Sequence, residues 1–408
     1  MRHRFHQGMV VGVILLLLGS LGLAACAPTP ATPATPDKSK PIKIGGSLPL
    51  TGVFAEQTKD IKASYQYWAE EINGKGGLLG RPVELVIYDD ESSAEKAVTN
   101  YERAITVDKV DLLFGGYPGT ANVAVMPVVE KYKMVYVSMG GHLQSFEQGY
   151  TYSFASPPLL GEWIGIGFQG AIELIPQAAR PKTMALLTMN NAIGQAGRTG
   201  LLATSKELGI QVVMDDSYNL PLADATPLIS KAKATNADIL FLNSAFDDSV
   251  MGMRTAKALG YSPKAIYNTI GSVLPGWVKE LGADGDNVLN PMWWHGSLPF
   301  PGVAEANKGA QVKYNVPVAP LYFGLGYSWM RTLQLAVEAA GKVDQEAIRT
   351  QLATKAFDLP YGKGIKFDKR GLPPAFGYTV QVTNGKVELL WPKEIATTQL
   401  VYPRPAWK

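Results

Sequence analysis

Residues 42–48, Ile42-Lys43-Ile44-Gly45-Gly46-Ser47-Leu48, lead through a Gly/Thr loop into a run where Ile61, Tyr65, Trp68, Ala69 and Ile72 recur every three or four positions. The first stretch reads as a strand and the second as a helix with one apolar stripe. Asn73-Gly74-Lys75-Gly76-Gly77 is a strong helix stop, since glycine enters the left-handed conformation that ends a helix without a Cβ penalty. A second strand, Val83 to Tyr88, follows. Short strands separated by helices of this length imply a parallel sheet covered on both faces.

Outward from this unit the alternation continues. A helix carries Ala97, Val98, Tyr101, Ala104 and Ile105, then come a strand over Val110 to Phe114, a helix from about Thr120 to Tyr132 and a strand over Met134 to Val137. The pattern recurs as strand Met184 to Thr188, helix Gly194 to Leu208, strand Gln211 to Met214 and a helix near Pro227 to Thr235. Asp238-Ile239-Leu240-Phe241-Leu242 echoes Asp111-Leu112-Leu113-Phe114-Gly115. Two similar half-chains predict two α/β lobes. Ligands of open parallel sheets bind beyond the carboxyl ends of the strands, so a cleft between the lobes is the expected site.

The chain has 408 residues, 46% hydrophobic and 18% charged, with 42 Gly and 28 Pro. That balance excludes a disordered or fibrous chain. Without Arg2 and Arg4, in a segment expected to be removed, the 38 basic residues become 36 against 35 acidic, so no nucleic-acid footprint exists. One cysteine and four histidines exclude an intramolecular disulfide and a Cys/His zinc site. No cofactor is called for. Arg2 and Arg4 precede the apolar run Met9 to Leu18, too short to span a bilayer comfortably. Leu23-Ala24-Ala25-Cys26 looks like the lipobox of a bacterial lipoprotein signal: cleavage before Cys26, lipid on its sulfur. An ordinary signal peptide or an uncleaved anchor containing a cysteine is the alternative. The Pro/Thr-rich run from Ala27 to Pro36 is an extended spacer.

The opening Ile42-Lys43-Ile44-Gly45 through Leu50-Thr51-Gly52 resembles that of the substrate-binding proteins of branched-chain amino acid ABC transporters, the Leu/Ile/Val-binding protein family. So do Ala69-Glu70-Glu71-Ile72-Asn73-Gly74-Lys75-Gly76-Gly77-Leu78-Leu79-Gly80 and Tyr88-Asp89-Asp90. Further matching blocks are Gly115-Gly116-Tyr117 leading to Met126-Pro127-Val128, Ala256-Lys257-Ala258-Leu259-Gly260-Tyr261, and Gly364-Ile365-Lys366-Phe367-Asp368. The resemblance covers nearly all of residues 42–392. It implies an α/β type I periplasmic binding fold, two doubly wound parallel-sheet lobes joined by a three-strand hinge. Residues 1–25 would be the signal and 26–41 the tether. Lobe I would hold 42–157 plus 292–358, and lobe II 158–291 plus 359–408. The partners implied are a small-molecule ligand, ABC permease and ATPase subunits, and the membrane through lipid on Cys26, with the chain itself a monomer.

In this family two loops of lobe I hold a ligand carboxylate with small and hydroxyl residues. The matching loops are Tyr117-Pro118-Gly119-Thr120 and Met139-Gly140-Gly141-His142. Gly119 stands where serine is frequent, and Thr120 would cap the following helix; free N–H groups at a helix start plus one hydroxyl make an anion site without arginine. The two residues either contact ligand or only form the turn and cap. Gly140 and Gly141 let the backbone approach a ligand, and His142 stands where threonine is frequent. Phe54 and Gln57 come from the first loop. In lobe II the matching loop reads Asn190-Asn191-Ala192-Ile193-Gly194, giving Asn191 and Ile193. The acid that would pair with a ligand ammonium falls near Asn268-Thr269-Ile270-Gly271, and no carboxylate is present there. Burying an ammonium without a partner is costly; Asp247 and Asp248 read as N-terminal charges of the next helix. Aromatic residues expected near the cleft are Tyr117, Phe246, Trp293, Trp294, Tyr322 and Phe323, each with core packing as its plainer role. Together they favour an aromatic or apolar ligand bearing a carboxylate or amide.

Gly165-Ile166-Gly167-Phe168-Gln169-Gly170 formally matches a dinucleotide-binding fingerprint, but no strand precedes it. Trp163, Ile164, Gly167, Phe168, Ala171, Ile172 and Ile175 give it the period of a packed helix. Neither a Gly-x-Ser-x-Gly elbow nor a P-loop occurs, and beyond the signal segment only His142 and His295 could serve a catalytic triad. The expectation is a non-enzymatic, exported, lipid-anchored solute-binding protein facing the periplasm or cell exterior. It would capture an amino acid-like or aromatic ligand and deliver it to a permease. The competing classes are a sensory receptor of the same fold and a surface hydrolase.

Overall fold

A computed structural model describes residues 40–140 and 143–407. The expected signal, Cys26 and most of the tether lie outside the described residues. In order, β1 (Ile42–Leu48), α1 (Ala55–Gly74), β2 (Val83–Asp89), α2 (Ala94–Thr106), β3 (Leu112–Leu113), α3 (Gly119–Tyr132), β4 (Tyr136–Ser138), α4 (Leu143–Phe146) and β5 (Ser153–Ala155) come first. Next are α5 (Leu160–Glu173), β6 (Thr183–Met189), α6 (Ala192–Glu207), β7 (Gln211–Tyr218), α7 (Thr226–Ala234), β8 (Ile239–Asn243), α8 (Phe246–Ala258), β9 (Ala265–Asn268), α9 (Gly276–Leu281) and β10 (Val288–Met292). The chain ends with α10 (Val303–Tyr314), α11 (Leu321–Ala340), α12 (Gln345–Thr354), β11 (Phe357–Leu359), β12 (Gly362–Ile365), β13 (Tyr378–Thr383) and β14 (Lys386–Trp391).

β1 is central in a three-stranded sheet, order β2-β1-β3, and both pairings are parallel. The strand expected over Val110 to Phe114 is regular only at Leu112–Leu113. Asp111 N–H and Phe114 N–H still donate to the carbonyls of Lys43 and Gly45 at 2.8 and 3.1 Å. The Asp111 carboxylate accepts from Lys43 N–H at 2.9 Å, so a side chain takes over where the backbone ladder would begin. The second sheet has seven strands, order β14-β13-β10-β9-β8-β6-β7. β7, β6, β8, β9 and β10 pair in parallel, as expected, and β13 and β14 add an antiparallel edge. The hairpin turns at Asn384-Gly385, with φ of 51° and 72°, the backbone that Asn-Gly favours in two-residue turns.

Two sequence blocks acquire a mechanical meaning. The stop after α1 is needed because Gly77 has φ +83° and a Cβ there would stand 2.0 Å from the Arg81 carbonyl oxygen. The glycines of residues 165–170 lie inside α5, where a Cβ on Gly167 would meet the Tyr378 carbonyl oxygen at 2.4 Å and Pro291 Cβ at 2.7 Å. Gly167 and Gly170 let the helix lie close on the sheet, and Gly165 lets it lie close on α6, in keeping with the periodicity of a packed helix.

The Tyr88-Asp89-Asp90 block fastens the loop after β1. Asp89 accepts from Leu50 N–H at 3.0 Å and from the Thr51 hydroxyl at 2.8 Å. Burial would raise its pKa, but bonds from Glu91, Thr51 and Leu50 hold it below the ordinary value. Asp90 accepts from the Ser47 hydroxyl at 2.9 Å and Ser92 N–H at 3.1 Å. Burial pushes its pKa up to about 6, with a further push from the Asp89 charge and a partial offset from those two bonds. A carboxyl whose folded pKa is raised favours the fold at low pH and loses that contribution as pH rises through the folded value. Asp90→Asn, whose amide oxygen can still accept from Ser92 N–H while the Ser47 hydroxyl must turn to accept from Nδ2, is therefore expected to gain in melting temperature relative to the parent as pH rises from 4 to 7. A pH-independent difference between the two melting curves would contradict this.

Candidate ligand-binding site

The loops that follow β3 and β4 leave the carboxyl ends of those strands, and one buried residue ties them together. Asn122 donates from Nδ2 to the Gly116 carbonyl at 2.9 Å and to the Met139 carbonyl at 3.0 Å. Its Oδ1 accepts from the Tyr136 hydroxyl at 2.6 Å. Tyr65 and Tyr101 add hydroxyl bonds to the Gly115 and Phe114 carbonyls at 2.5 and 2.9 Å. Nothing in the sequence singled out Asn122, because an asparagine inside a helix reads as polar surface until its partners are known.

α3 begins at Gly119 with Pro118 as its N-cap residue. The Pro118 carbonyl takes the N–H of Ala121 and Asn122 at 3.0 and 3.1 Å. The N–H groups of Gly119 and Thr120 have no acceptor among the described residues. Thr120 is the second helical residue and is exposed, so the capping role expected for it is corrected; its hydroxyl is left for other work. Orphan donors at a helix start carry the positive end of the helix dipole.

A cavity of about 60 Å³ opens at this point, room for about two water molecules at liquid density. One side is Tyr117 through Thr120 with Met139 and Gly140. Opposite stand Pro157, Pro158, Leu160 and Trp163 at the entry to α5, Ile193 and Ala196 of α6, and Ile270. Trp293 and Tyr322 complete it. Among the described residues no charged side chain lines the space. Trp163 and Trp293 pack with ring centroids 4.5 Å apart at 60°. The Tyr117 and Tyr322 hydroxyls lie 3.3 Å apart. Burial raises the pKa of Tyr117, with an offset from its bond to Tyr322, and holds Tyr322 well above the ordinary value. Both stay protonated, and since their mutual bond uses one proton, the other is free for an acceptor in the cavity.

Of the residues expected from sequence, Tyr117, Gly119, Thr120, Gly140 and Ile193 are brought together here. Phe54 stands behind them, edge-on to Tyr117 at 5.8 Å. Gln57 and Phe246 line an adjoining cavity of about 400 Å³ that shares Tyr322 and is bordered by Glu56, Asp60 and Tyr314. Asn191 is the N-cap of α6, its Oδ1 accepting from Gly194 N–H at 2.8 Å. Asn268 is buried, donating to Leu242 O and Ser249 Oγ at 3.0 and 2.7 Å and accepting from Ser272 N–H at 2.8 Å. Neither borders the 60 Å³ cavity; Asn268 uses both ends of its amide on the scaffold, and Asn191 its oxygen. Gly141 and His142 lie outside the described residues. Asp247 and Asp248 sit in the first turn of α8. Trp294 and Phe323 pack in the core. Pro157, Pro158, Leu160, Ala196 and Met139 were not anticipated, since small and apolar residues carry no local mark of a ligand.

Asn122→Ala would strand the Gly116 and Met139 carbonyls and the Tyr136 hydroxyl. At roughly 1–3 kcal/mol for a buried group left unpaired, a clear loss is expected in chemical denaturation. Retention of parental stability would show that the loops do not depend on it.

The profile of a family described as periplasmic binding protein matches residues 41–386. A Brucella abortus relative named Leu/Ile/Val-binding protein homolog 7 is 24% identical over 390 residues, covering 90% of this chain and 95% of its own. The Streptococcus pneumoniae branched-chain amino acid transporter substrate-binding protein, solved in complex with isoleucine, aligns with TM-score 0.73 at 22% identity, over 89% of this chain and all of its own. A Rhodopseudomonas palustris solute-binding protein of an ABC transporter, solved in complex with benzoate, aligns with TM-score 0.72 at 18% identity, over 86% of this chain and 96% of its own. The shared architecture is the type I periplasmic binding fold.

Proposed function

The chain belongs to the periplasmic binding protein family, of the branched-chain amino acid ABC transporter type, and on that premise we propose that its own ligand is a small carboxylate or amide without an ammonium group. The observation that carries this reading is the cavity at the start of α3, which no charged side chain lines among the described residues. Two unpaired N–H groups, the Thr120 hydroxyl and one tyrosine proton supply donors for an anion or carbonyl. Ile270, in the segment where an acid would pair with an ammonium, borders the cavity with an apolar side chain. An ammonium taken from water there would meet no charge among the described residues, at a cost of several kcal/mol. Proteins of this fold that hold isoleucine in one case and benzoate in another are compatible with either ligand class.

In this reading the two lobes, residues 42–157 plus 292–358 and 158–291 plus 359–408, close on the ligand by hinge motion, and the closed form is selected for docking on a permease. Lipid on Cys26 would hold the receptor at the membrane after export, as the residues around it suggest.

The test is a thermal-shift panel on purified protein, unfolded and refolded to strip carried-over ligand. The panel holds leucine, isoleucine, valine, 4-methylpentanoate, benzoate and benzamide. At 100 times its dissociation constant a ligand adds about 2.7 kcal/mol. Stabilisation by the acids or the amide is expected; stabilisation by the amino acids alone would overturn the reading. Ile270→Asp should reverse the preference, losing affinity for 4-methylpentanoate by charge repulsion while gaining measurable binding of leucine. Unchanged selectivity in that variant would place the discrimination elsewhere.

A further inference from the structure

The cavity at the start of α3 is smaller than the ligands its chemistry favours. Its 60 Å³ takes little more than a carboxylate and the carbon that carries it, and 4-methylpentanoate is several times larger. The adjoining space of about 400 Å³ lies past Tyr322. Among the described residues Tyr322 is the one that lines both spaces. It is 4% exposed, and its ring stands edge-on to Tyr117 with centroids 5.5 Å apart. The larger space is walled mainly by apolar groups, those of Phe246, Leu274, Pro275, Val316 and Pro320. Packing holds these walls in place. Phe246 lies against Gly276, where a Cβ would stand 2.8 Å from its ring. Tyr314 donates a hydrogen bond to Asp60 and packs edge-on to Phe323 at 6.0 Å. A preformed apolar space that continues a polar one suits a molecule with an anionic head and an apolar tail.

We propose that the ligand occupies both spaces, its carboxylate at the start of α3 and its tail passing Tyr322 into the 400 Å³ space, so that the preferred class is monocarboxylates whose apolar tail is longer than the first space can hold. This rests on the ammonium-free reading of the smaller cavity and deepens it. Each methylene moved from water onto those walls adds affinity. A carboxylate at the far end is rejected, because it would leave water for apolar walls bordered by Glu56 and Asp60, where desolvation and like charge both oppose it.

Calorimetric titration with propanoate, pentanoate, heptanoate and heptanedioate tests this. In the parent protein affinity is expected to rise about twofold or more per methylene, making heptanoate about tenfold tighter than propanoate or better. Heptanedioate should bind no tighter than propanoate. Val316→Trp fills the larger space from its loop, and Leu274→Trp fills it from another segment. Each should cut the heptanoate-to-propanoate ratio to about threefold or less and leave propanoate bound within about twofold, which also reports that the variant is folded. A third measurement needs no substitution: the parent is irradiated with heptanoate bearing a diazirine at carbon 6, and the label is located by peptide mass spectrometry. Label at 56–60, 246, 274–276 or 314–320 is expected. A ratio near one in the parent, a ratio that survives both filled variants, heptanedioate binding as tightly as heptanoate, or label confined to 157–163 and 193–196 would each overturn the assignment. Binding of leucine with none of these acids would overturn the ammonium-free reading and this inference together, an outcome distinct from acids binding without dependence on length.

Discussion

Parallel pairing of β1 with both β2 and β3 is the constraint from which the rest follows. Strands that run the same way release their carboxyl ends at one edge, so the loops after Leu48, Asp89 and Leu113 emerge side by side. Such an edge is a set of loose loops until something fastens it. Asp89 and Asp90 fasten the first loop to the second, and Asn122 fastens the loop after β3 to the loop after β4. With its surroundings held, the start of α3 can present N–H groups at a fixed place without a charged side chain. Preorganised backbone donors cost little ordering when a ligand arrives.

What faces those donors is apolar and aromatic. Ile193, Ile270 and Trp163 come from segments joined to the seven-stranded sheet and its covering helices, while Trp293 leaves β10. α5 lies close on that sheet, a closeness that the small residue at 167 permits. The same glycine run thus has a functional consequence without any chemistry of its own: it sets how far Trp163 extends toward Trp293.

Much of this was legible in the sequence where a local rule decides. α1 and its stop, β1, β2 and the helical nature of residues 160–173 follow from periodicity and from backbone that only glycine adopts easily. Gly119, Gly140 and Ile193 were reached by resemblance and do border the cavity. Legibility ended where a polar side chain chooses among partners distant in sequence. Asn268 holds Ser249 and Ser272, Asn191 caps α6, and Thr120 leaves the N-cap position of α3 to Pro118. Asn122 went unnoticed for the same reason. An amide can satisfy backbone or ligand equally well, and only the three-dimensional neighbourhood decides which. The antiparallel β13–β14 edge was missed differently, since its Asn384-Gly385 signal was present but lay outside the strand–helix alternation.

Selectivity in such a site comes from what it withholds as much as from what it offers. A branched aliphatic acid and the corresponding amino acid differ by one ammonium group, and their apolar parts would fill the same walls with equal gain. The carboxylate would meet the same donors in both. The difference therefore lies in desolvation: the ammonium must leave water for a space whose described walls hold no carboxylate. Rejection by an uncompensated charge amounts to several kcal/mol, more than one additional methylene in the apolar wall would return. Two carboxylates, Glu56 and Asp60, border the adjoining space that shares Tyr322. There burial raises the Asp60 pKa, a hydrogen bond from Tyr314 opposes the rise and the Glu56 charge adds to it. A cation drawn toward them would sit apart from the α3 donors, so this arrangement separates the two charges that an amino acid carries on a single carbon.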